Sequence, residues 1–399
     1  MERSSRRQFL ARGALLAAAA AAAGAAGAAR SGGAVAPPRP KPLRKLLDIG
    51  PGGVIEPGSA QDLRVAGNAG YFVETGTRWI RMWADWPSLQ PDGDRAPDDP
   101  LSPGRWRLRA LDEQIALANS LQVKVLLMPY RFPRWANGTE EPDRAVRGKA
   151  PEYRLPDDAY GPGSAWARFF AFLHDRYHAG RETGPRVDGF ELVNEPNLQL
   201  WPQAGIAREI ARLLMTAQGI SARNAHSTML FAPSISDDDA PTSERYTRWD
   251  EFVPALLDEL AAAGYRPHSR QAWSHHNYTD VERRRVATNT QAIRALLAGR
   301  WSGHAEGRTP TVFVTEGGAR LSRMPELYPA EDPGEAQARC VREAWTRHLD
   351  ERRAGAGVAM LAQYLLHADP NFDCGLLDPY PSTRKRPAYA AWKAFPVRS

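Results

Sequence analysis

Phe190-Glu191-Leu192-Val193-Asn194-Glu195-Pro196-Asn197 is an apolar run that stops at a carboxylate held between an amide and a proline. Stability alone does not call for such an ending, because a carboxylate withdrawn from water is costly unless it is paired. The ending recurs at Thr311-Val312-Phe313-Val314-Thr315-Glu316-Gly317-Gly318, where a second hydrophobic run delivers Glu316 into a glycine turn. Outward from these two stretches, short apolar runs alternate with segments of helical period. Strands are expected over 46–50, 79–86, 124–130, 189–195, 228–234, 272–278, 311–316 and 357–365. Helical stretches are expected over 60–75, 105–121, 164–178, 207–224, 249–263, 281–297, 334–351 and 387–394. Eight strand and helix pairs in strict alternation point to an α/β fold, a (β/α)8 TIM barrel forming a single domain over 43–399. An open doubly wound sheet would mark its first strand with a phosphate-binding glycine loop. Ile49-Gly50-Pro51-Gly52-Gly53 is rich in glycine but lacks that spacing and does not run directly into a helix.

The first residues read as an address. Ser5-Arg6-Arg7-Gln8-Phe9-Leu10 is a twin-arginine pattern, and the alanine-rich run over 14–29 follows it. That run is broken by Gly24 and Gly27 and closes in small residues, which favours a cleaved signal over 1–29 against a membrane anchor. Residues 30–42, rich in Gly, Pro and basic side chains, read as a disordered leader. The expected destination is extracellular or periplasmic, with no membrane contact in the mature form. The formal net charge of +6 also shrinks on this reading, because Arg3, Arg6, Arg7 and Arg12 against Glu2 account for half of it. No basic block is interleaved with aromatics, so a nucleic-acid partner is not expected. Cys340 and Cys374 are the only cysteines. They are too few for a zinc motif and are read as either one disulfide or two inert thiols.

Side chains alternate along a strand. On that count Glu195 shares a face with Val193 and Glu191, Glu316 with Val314 and Val312, Tyr278 with His276 and Ser274, and Arg81 with Trp83 and Asp85. One phase thus turns two acids, a histidine, a tyrosine and an arginine toward one axis. Glu195 alone also reads as a helix-capping acid, since Pro196 follows it. Its repetition by Glu316 at a second strand mouth argues for chemistry instead. Two carboxylates facing each other suit cleavage of a glycosidic bond, in which one acid protonates the leaving oxygen and the other meets the carbocation-like centre. His275 and His276 lack further ligands at workable spacing, so no metal is expected. Arg81 also reads as the partner of Glu191 on the barrel floor. The longer segments 87–103 and 131–163 follow the second and third strands, where a barrel builds its cleft. Their Trp86, Trp135, Tyr153 and Tyr160 are candidates for stacking on sugar rings, or else packing residues.

Asn194-Glu195-Pro196 after the fourth strand, Glu316 after the seventh and His276-Asn277-Tyr278 on the sixth resemble clan A glycoside hydrolases, the cellulase-like barrel enzymes, with families 5 and 39 the nearest in pattern. The resemblance implies Glu195 as general acid and base, Glu316 as nucleophile, and Asn194 as the group bonded to the sugar 2-hydroxyl. Tyr278 and Arg81 would steady Glu316, holding it ionised while Glu195 stays protonated, with His276 beside them. It further implies a retaining double displacement on a carbohydrate substrate with no metal or organic cofactor. Where many relatives place a tryptophan on the eighth strand, this chain has Gln363-Tyr364, so the sugar platform falls to Tyr364, Trp83 or Trp201. A carbohydrate-binding barrel without turnover is the alternative, and the intact acid pair argues against it. A transglycosylase would share the same site.

Overall fold

The computed structural model describes residues 43–396 apart from 51–57, 66, 94, 140–149, 157–158, 285–287, 302–310, 355–356 and 371. The twin-arginine segment, the leader and the Gly52-Gly53 pair lie outside these residues. The described strands are β1 (Arg44–Asp48), β2 (Trp79–Asp85), β3 (Lys124–Tyr130), β4 (Gly189–Glu191), β5 (Met229–Phe231), the two-residue β6 (Ile235–Ser236), β7 (Gln271–His276), β8 (Thr311–Glu316) and β9 (Met360–Gln363). All pair in parallel, in the order β1-β2-β3-β4-β5-β7-β8-β9, and β9 returns to β1. β6 continues the fifth strand's path and pairs only with β7. The sheet is therefore a closed eight-stranded barrel. The main helices are α1 (Asn68–Thr75), α2 (Arg105–Ser120), α3 (Ala165–Tyr177), α4 (Ile206–Ala222), α5 (Trp249–Ala262), α6 (Tyr278–Glu282), α7 (Thr288–Arg300), α8 (Pro333–Arg353) and α9 (Pro387–Ala394).

Sequence chemistry places the helix starts. Ser164 accepts from the Ala167 amide to cap α3, and Asp332 accepts from the Gly334 and Glu335 amides ahead of Pro333 in α8. The helix expected over 281–297 is instead two helices, α6 and α7, and the stretch over 60–75 is helical only as α1. The fourth strand is also shorter than its apolar pattern, because ladder pairing with β3 and β5 ends at Glu191. Cys340 and Cys374 are buried free thiols, which removes the disulfide alternative.

The ladder register fixes which side chains enter the barrel. Asp48 lies beside Arg81, Glu191 beside Phe231, Phe231 beside Ala272, and Ser274 beside Phe313. The interior thus has an apolar layer, in which the Phe231 and Phe313 rings meet edge to face at 4.9 Å. Gly189 makes room for it: a Cβ there would stand 2.5 Å from the Phe231 ring. Nearer the C-terminal mouth follows a polar layer of Asp48, Arg81, Glu191, Ser274 and Thr315, all buried. Alternate residues face the helices, as where Trp273 meets Trp301 at 5.5 Å. Trp86 and Tyr160 belong to this outer core as well, Trp86 being stacked on Phe169, so neither is a sugar platform.

Candidate active site

Arg81 is the hub of the polar layer. Its side chain has no solvent exposure, and its donors reach oxygens of four side chains carried by three strands or their ends, β1, β4 and β8. Nε donates to Glu191 Oε2 at 2.5 Å, Nη1 to Asp48 Oδ2 at 3.0 Å and also to Glu316 Oε1, and Nη2 to Asn194 Oδ1 at 2.8 Å. The guanidinium stacks on Trp83 at 4.6 Å. Asp48 in turn fixes that ring by accepting from Trp83 Nε1 at 3.1 Å. Glu191 is tied down further by Ser274 and by Thr315 Oγ1, the latter at 2.7 Å. The Arg81–Glu191 pair expected on the barrel floor is therefore present.

The two candidate acids reach the mouth by routes that strand alternation does not describe. Glu195 stands four residues past the end of β4 with φ of 38°, a left-handed turn conformation that is uncommon for a side-chain-bearing residue. A turn, not the ladder, aims it. On β8 the inward residues are Phe313 and Thr315, so Glu316 does not share a face with Val312 and Val314 as expected. The β7–β8 pairing shifts register between His275 and His276, and past that irregularity Glu316 turns inward as well. Tyr278 likewise lies beyond its strand, as the first residue of α6.

His276 bridges the acids. Its Nδ1 is 2.8 Å from Glu195 Oε1, and its Nε2 is 3.5 Å from Glu316 Oε1. Carboxyl oxygens of Glu195 and Glu316 lie within 4.8 Å of one another and of the imidazole. Tyr278 donates its hydroxyl to Glu316 Oε2 at 2.8 Å, and Gln199 Nε2 donates to Glu195 Oε2 at 3.2 Å. Both acids keep a sliver of exposure, 7% for Glu195 and 5% for Glu316, so they face the mouth while nearly dry. Around them stands an aromatic rim. Trp83 meets Tyr130 edge to face at 4.5 Å, and Tyr278, Tyr364 and Phe372 pack edge to face at 4.8 to 6.2 Å. Trp201 donates its indole N–H to the Ala150 carbonyl at 3.3 Å.

Burial raises the Glu316 carboxyl to about 7. The Glu195 and Asp48 charges add to that rise, while His276 and Arg81 oppose it. The expectation that Arg81 and Tyr278 would hold Glu316 firmly ionised is thus corrected. The reason is burial, which the pull of His276 and of an Arg81 guanidinium shared with Asp48 and Glu191 does not offset. Burial works against charge on His276, but Glu316 and Glu195 outweigh it and raise the ring above its ordinary value. Burial raises Asp48 too, against the pull of Arg81, and lifts the Tyr278 phenol far above its ordinary range, with the Glu316 charge adding to it. Such a set of coupled acids and an imidazole can hold a proton at near-neutral pH and pass it across a short gap.

The structure brings together Glu195, Glu316, Asn194, His276, Tyr278, Arg81, Trp83 and Tyr364. Reasoning from sequence did not select Asp48, Gln199, Tyr130 or Ser234, whose Oγ accepts from the Glu195 amide at 3.4 Å and lies 3.3 Å from Asn194 Oδ1. Asp48 had a signal: Lys45-Leu46-Leu47-Asp48 is another apolar run that ends in an acid. Gln199 had none, since its place depends on the turn after Glu195.

No protein-family model matches the sequence, and no curated protein matches it. Solved structures do. A family 39 glycoside hydrolase from the gut symbiont Bacteroides cellulosilyticus superposes over 88% of this chain with a TM-score of 0.56 at 15% identity, and the chain spans 63% of that protein. An intracellular xylanase from Thermoanaerobacterium saccharolyticum matches over 88% of this chain and 95% of its own, with a TM-score of 0.54 at 13% identity. An endo-β-1,4-glucanase from Xanthomonas axonopodis pv. citri matches over 88% and 98%, with a TM-score of 0.52 at 13% identity. The chain's structural neighbours are thus clan A glycoside hydrolases, and it shares their fold, the closed (β/α)8 barrel.

Proposed function

We propose that this chain is an exported retaining β-glycoside hydrolase, acting on a β-linked polysaccharide, oligosaccharide or glycoside. The observation that carries the reading is the pair of carboxyl groups, Glu195 and Glu316, with oxygens within 4.8 Å across one mouth. Retaining enzymes hold their acids about 5 to 5.5 Å apart, whereas inverting enzymes leave about 6.5 to 9.5 Å for a water. Glycoside hydrolase neighbours with the same barrel, among them an enzyme solved with cellopentaose, support a carbohydrate substrate. Export rests on the twin-arginine pattern at Arg6-Arg7.

In the first step a carboxylate oxygen of Glu316 attacks the anomeric carbon while Glu195 gives its proton to the departing oxygen. The glycosidic bond breaks and an ester to Glu316 forms. Arg81 and Tyr278 already bond the two Glu316 oxygens, so they fix the attacking atom and take up charge when it is regenerated. Asn194, held by Arg81, is the group assigned on this reading to the sugar 2-hydroxyl. In the second step Glu195, now ionised, takes a proton from water, whose oxygen attacks the same carbon and expels Glu316. The two inversions restore the β configuration. His276 keeps Glu195 pointed at the gap throughout.

The test uses an aryl β-glycoside whose leaving group needs no protonation. Glu195→Ala should retain its first step, and added azide should yield the β-glycosyl azide. Glu316→Ala should show no turnover. A first-formed sugar of α configuration by NMR, or near wild-type activity in Glu316→Ala, would overturn the reading.

A further inference from the structure

A second cluster of ligand-capable side chains lies on the opposite face of β7. His275 is next to His276 but shares the outward side of Trp273, between the barrel and its helices. Asp237 follows β6, and Asp280 is in α6. Ligand atoms of Asp237, His275 and Asp280 lie within 4.8 Å of one another, and all three residues are buried. His275 has no exposed surface, and neither Nδ1 nor Nε2 has a hydrogen-bond partner. Ile235 lies opposite it in the ladder but makes no hydrogen bond to either ring nitrogen, so the imidazole stands unpartnered beside two carboxylates.

Those carboxylates are already oriented by backbone. Asp237 accepts from the Thr279 and Asp280 amides at 3.0 and 3.1 Å. Asp280 accepts from the Asn289 and Thr290 amides at 3.0 and 2.9 Å, and from Thr290 Oγ1 at 2.8 Å. A carboxylate oxygen has two lone pairs, and the Thr279 side chain also bonds Asp237, so at least one oxygen of Asp237 and Oδ1 of Asp280 keep one to give. The two carboxyl groups face each other in a buried setting, where a cation between them would offset their mutual repulsion. Among the described residues no arginine or lysine bonds either acid; His348 is the titratable ring that acts on Asp280.

We propose that Asp237, His275 and Asp280 form a site for one divalent first-row transition cation, Zn2+ or Mn2+. One imidazole nitrogen with two carboxylates is a donor set that suits these ions, whereas Ca2+ and Mg2+ favour oxygen alone. A cation there joins the end of β6, the end of β7 and the start of α6. That junction carries His276 and Tyr278 into the mouth, so the ion is a brace behind the active site and takes no part in the reaction.

The experiment strips the purified full-length chain with a chelator, then titrates it with Zn2+ or Mn2+ by calorimetry and counts bound metal by mass spectrometry. Wild type should bind one equivalent, and so should Glu316→Gln, which disables the other His and Glu cluster. Asp237→Asn and His275→Gln should bind at least tenfold more weakly. The thermal midpoint of wild type should rise on loading. Since a variant can fail to fold, a crystal of wild type grown with Zn2+ supplies a second reading: its anomalous peak should lie between Asp237 and His275. No bound equivalent in wild type overturns the proposal. So does an equivalent lost in Glu316→Gln, an equivalent kept in folded Asp237→Asn and His275→Gln, or an anomalous peak at Glu195. None of these outcomes touches the glycosidase reading, which the azide experiment tests by itself.

Discussion

Asp48→Asn should move the acid limb of activity toward lower pH. Asp48 Oδ2 and Glu316 Oε1 both accept from Nη1 of Arg81, so the two oxygens are within about 6 Å of each other. Two unit charges at about 5.5 Å repel by about 3 kcal/mol at an effective dielectric of about 20, equivalent to about two pKa units. Asp48 is itself raised by burial against the pull of Arg81, which neutralises part of its field at Glu316, so the expected change is about one to two units. Removing that charge also releases Arg81 to serve Glu316 more fully, a change of the same sign. On the proposed double displacement Glu316 must be ionised to attack, so wild-type kcat/KM should climb as pH rises through about 7, and the variant's climb should come about one to two units lower. The asparagine Oδ1 can still accept from Gly50 N and Trp83 Nε1, as the aspartate does at 2.6 and 3.1 Å, which favours an intact fold. Stability gives an independent check. Glu316 has its folded value raised from an ordinary 4.5 to about 7, so its contribution is complete below the lower value and is lost as pH rises through the higher. The thermal midpoint should therefore decline across that window in wild type, and less so in Asp48→Asn. A folded variant whose kcat/KM limb stays in place, or moves upward, refutes the charge-sharing argument.

Other perturbations separate the remaining parts. Tyr278→Phe removes the phenol that donates to Glu316 Oε2 at 2.8 Å, so the same acid limb should move upward by about one unit, with kcat down about tenfold or more. Opposite shifts in Asp48→Asn and Tyr278→Phe are the signature to look for in a pH series on one aryl glycoside. Arg81→Met leaves Asp48, Glu191 and Glu316 without their cation and should cost about 3 to 5 kcal/mol, read as a lower urea midpoint at pH 7. Gly189→Ala puts a methyl 2.5 Å from the Phe231 ring inside the barrel and should cost about 1 to 3 kcal/mol, with catalytic pH dependence unchanged.

Much of the barrel was legible because burial on both faces writes a continuous apolar run for each strand, and amphipathic helices write a different period between them. The runs containing Glu195 and Glu316 also marked where those strands open at the mouth. Exact strand length was not legible. Leu192 and Val193 continue the apolar pattern of β4, yet the ladder stops at Glu191, because hydrophobicity records burial and not hydrogen bonding. Face assignment failed at Glu316 for a related reason. Counting by twos assumes an unbroken ladder, and a register shift between His275 and His276 leaves no trace in residue type. Gln199 and Ser234 escaped because their roles depend on a turn conformation at Glu195 that local sequence does not specify. The export segment lies outside the described residues and remains a reading of Arg6-Arg7 and the alanine run.

The proton behaviour of Glu316 was the least legible property, and it follows from how Arg81 divides its donors. Glu191 receives Nε together with the hydroxyls of Ser274 and Thr315, three donors on two oxygens. Glu316 receives a share of Nη1, which it splits with Asp48, the neutral phenol of Tyr278 and the electrostatic pull of His276, whose Nε2 lies 3.5 Å from Oε1. A sequence can show that an arginine and several acids face one axis, but it cannot show which acid takes the larger part of the cation. The distribution has a chemical consequence. An acid compensated as fully as Glu191 makes a poor nucleophile, since attack would require it to give up hydrogen bonds that bond formation at carbon does not replace. Glu316 is compensated enough to be ionised near neutrality and little enough to gain by sharing its charge with an electrophilic carbon. The same reasoning explains why the deeper acid does not compete with it: Glu191 has no solvent exposure, whereas Glu316 retains its opening to the mouth. On the proposed mechanism, one guanidinium thus sorts two glutamates on neighbouring levels of a single barrel into a structural partner and a reactive group.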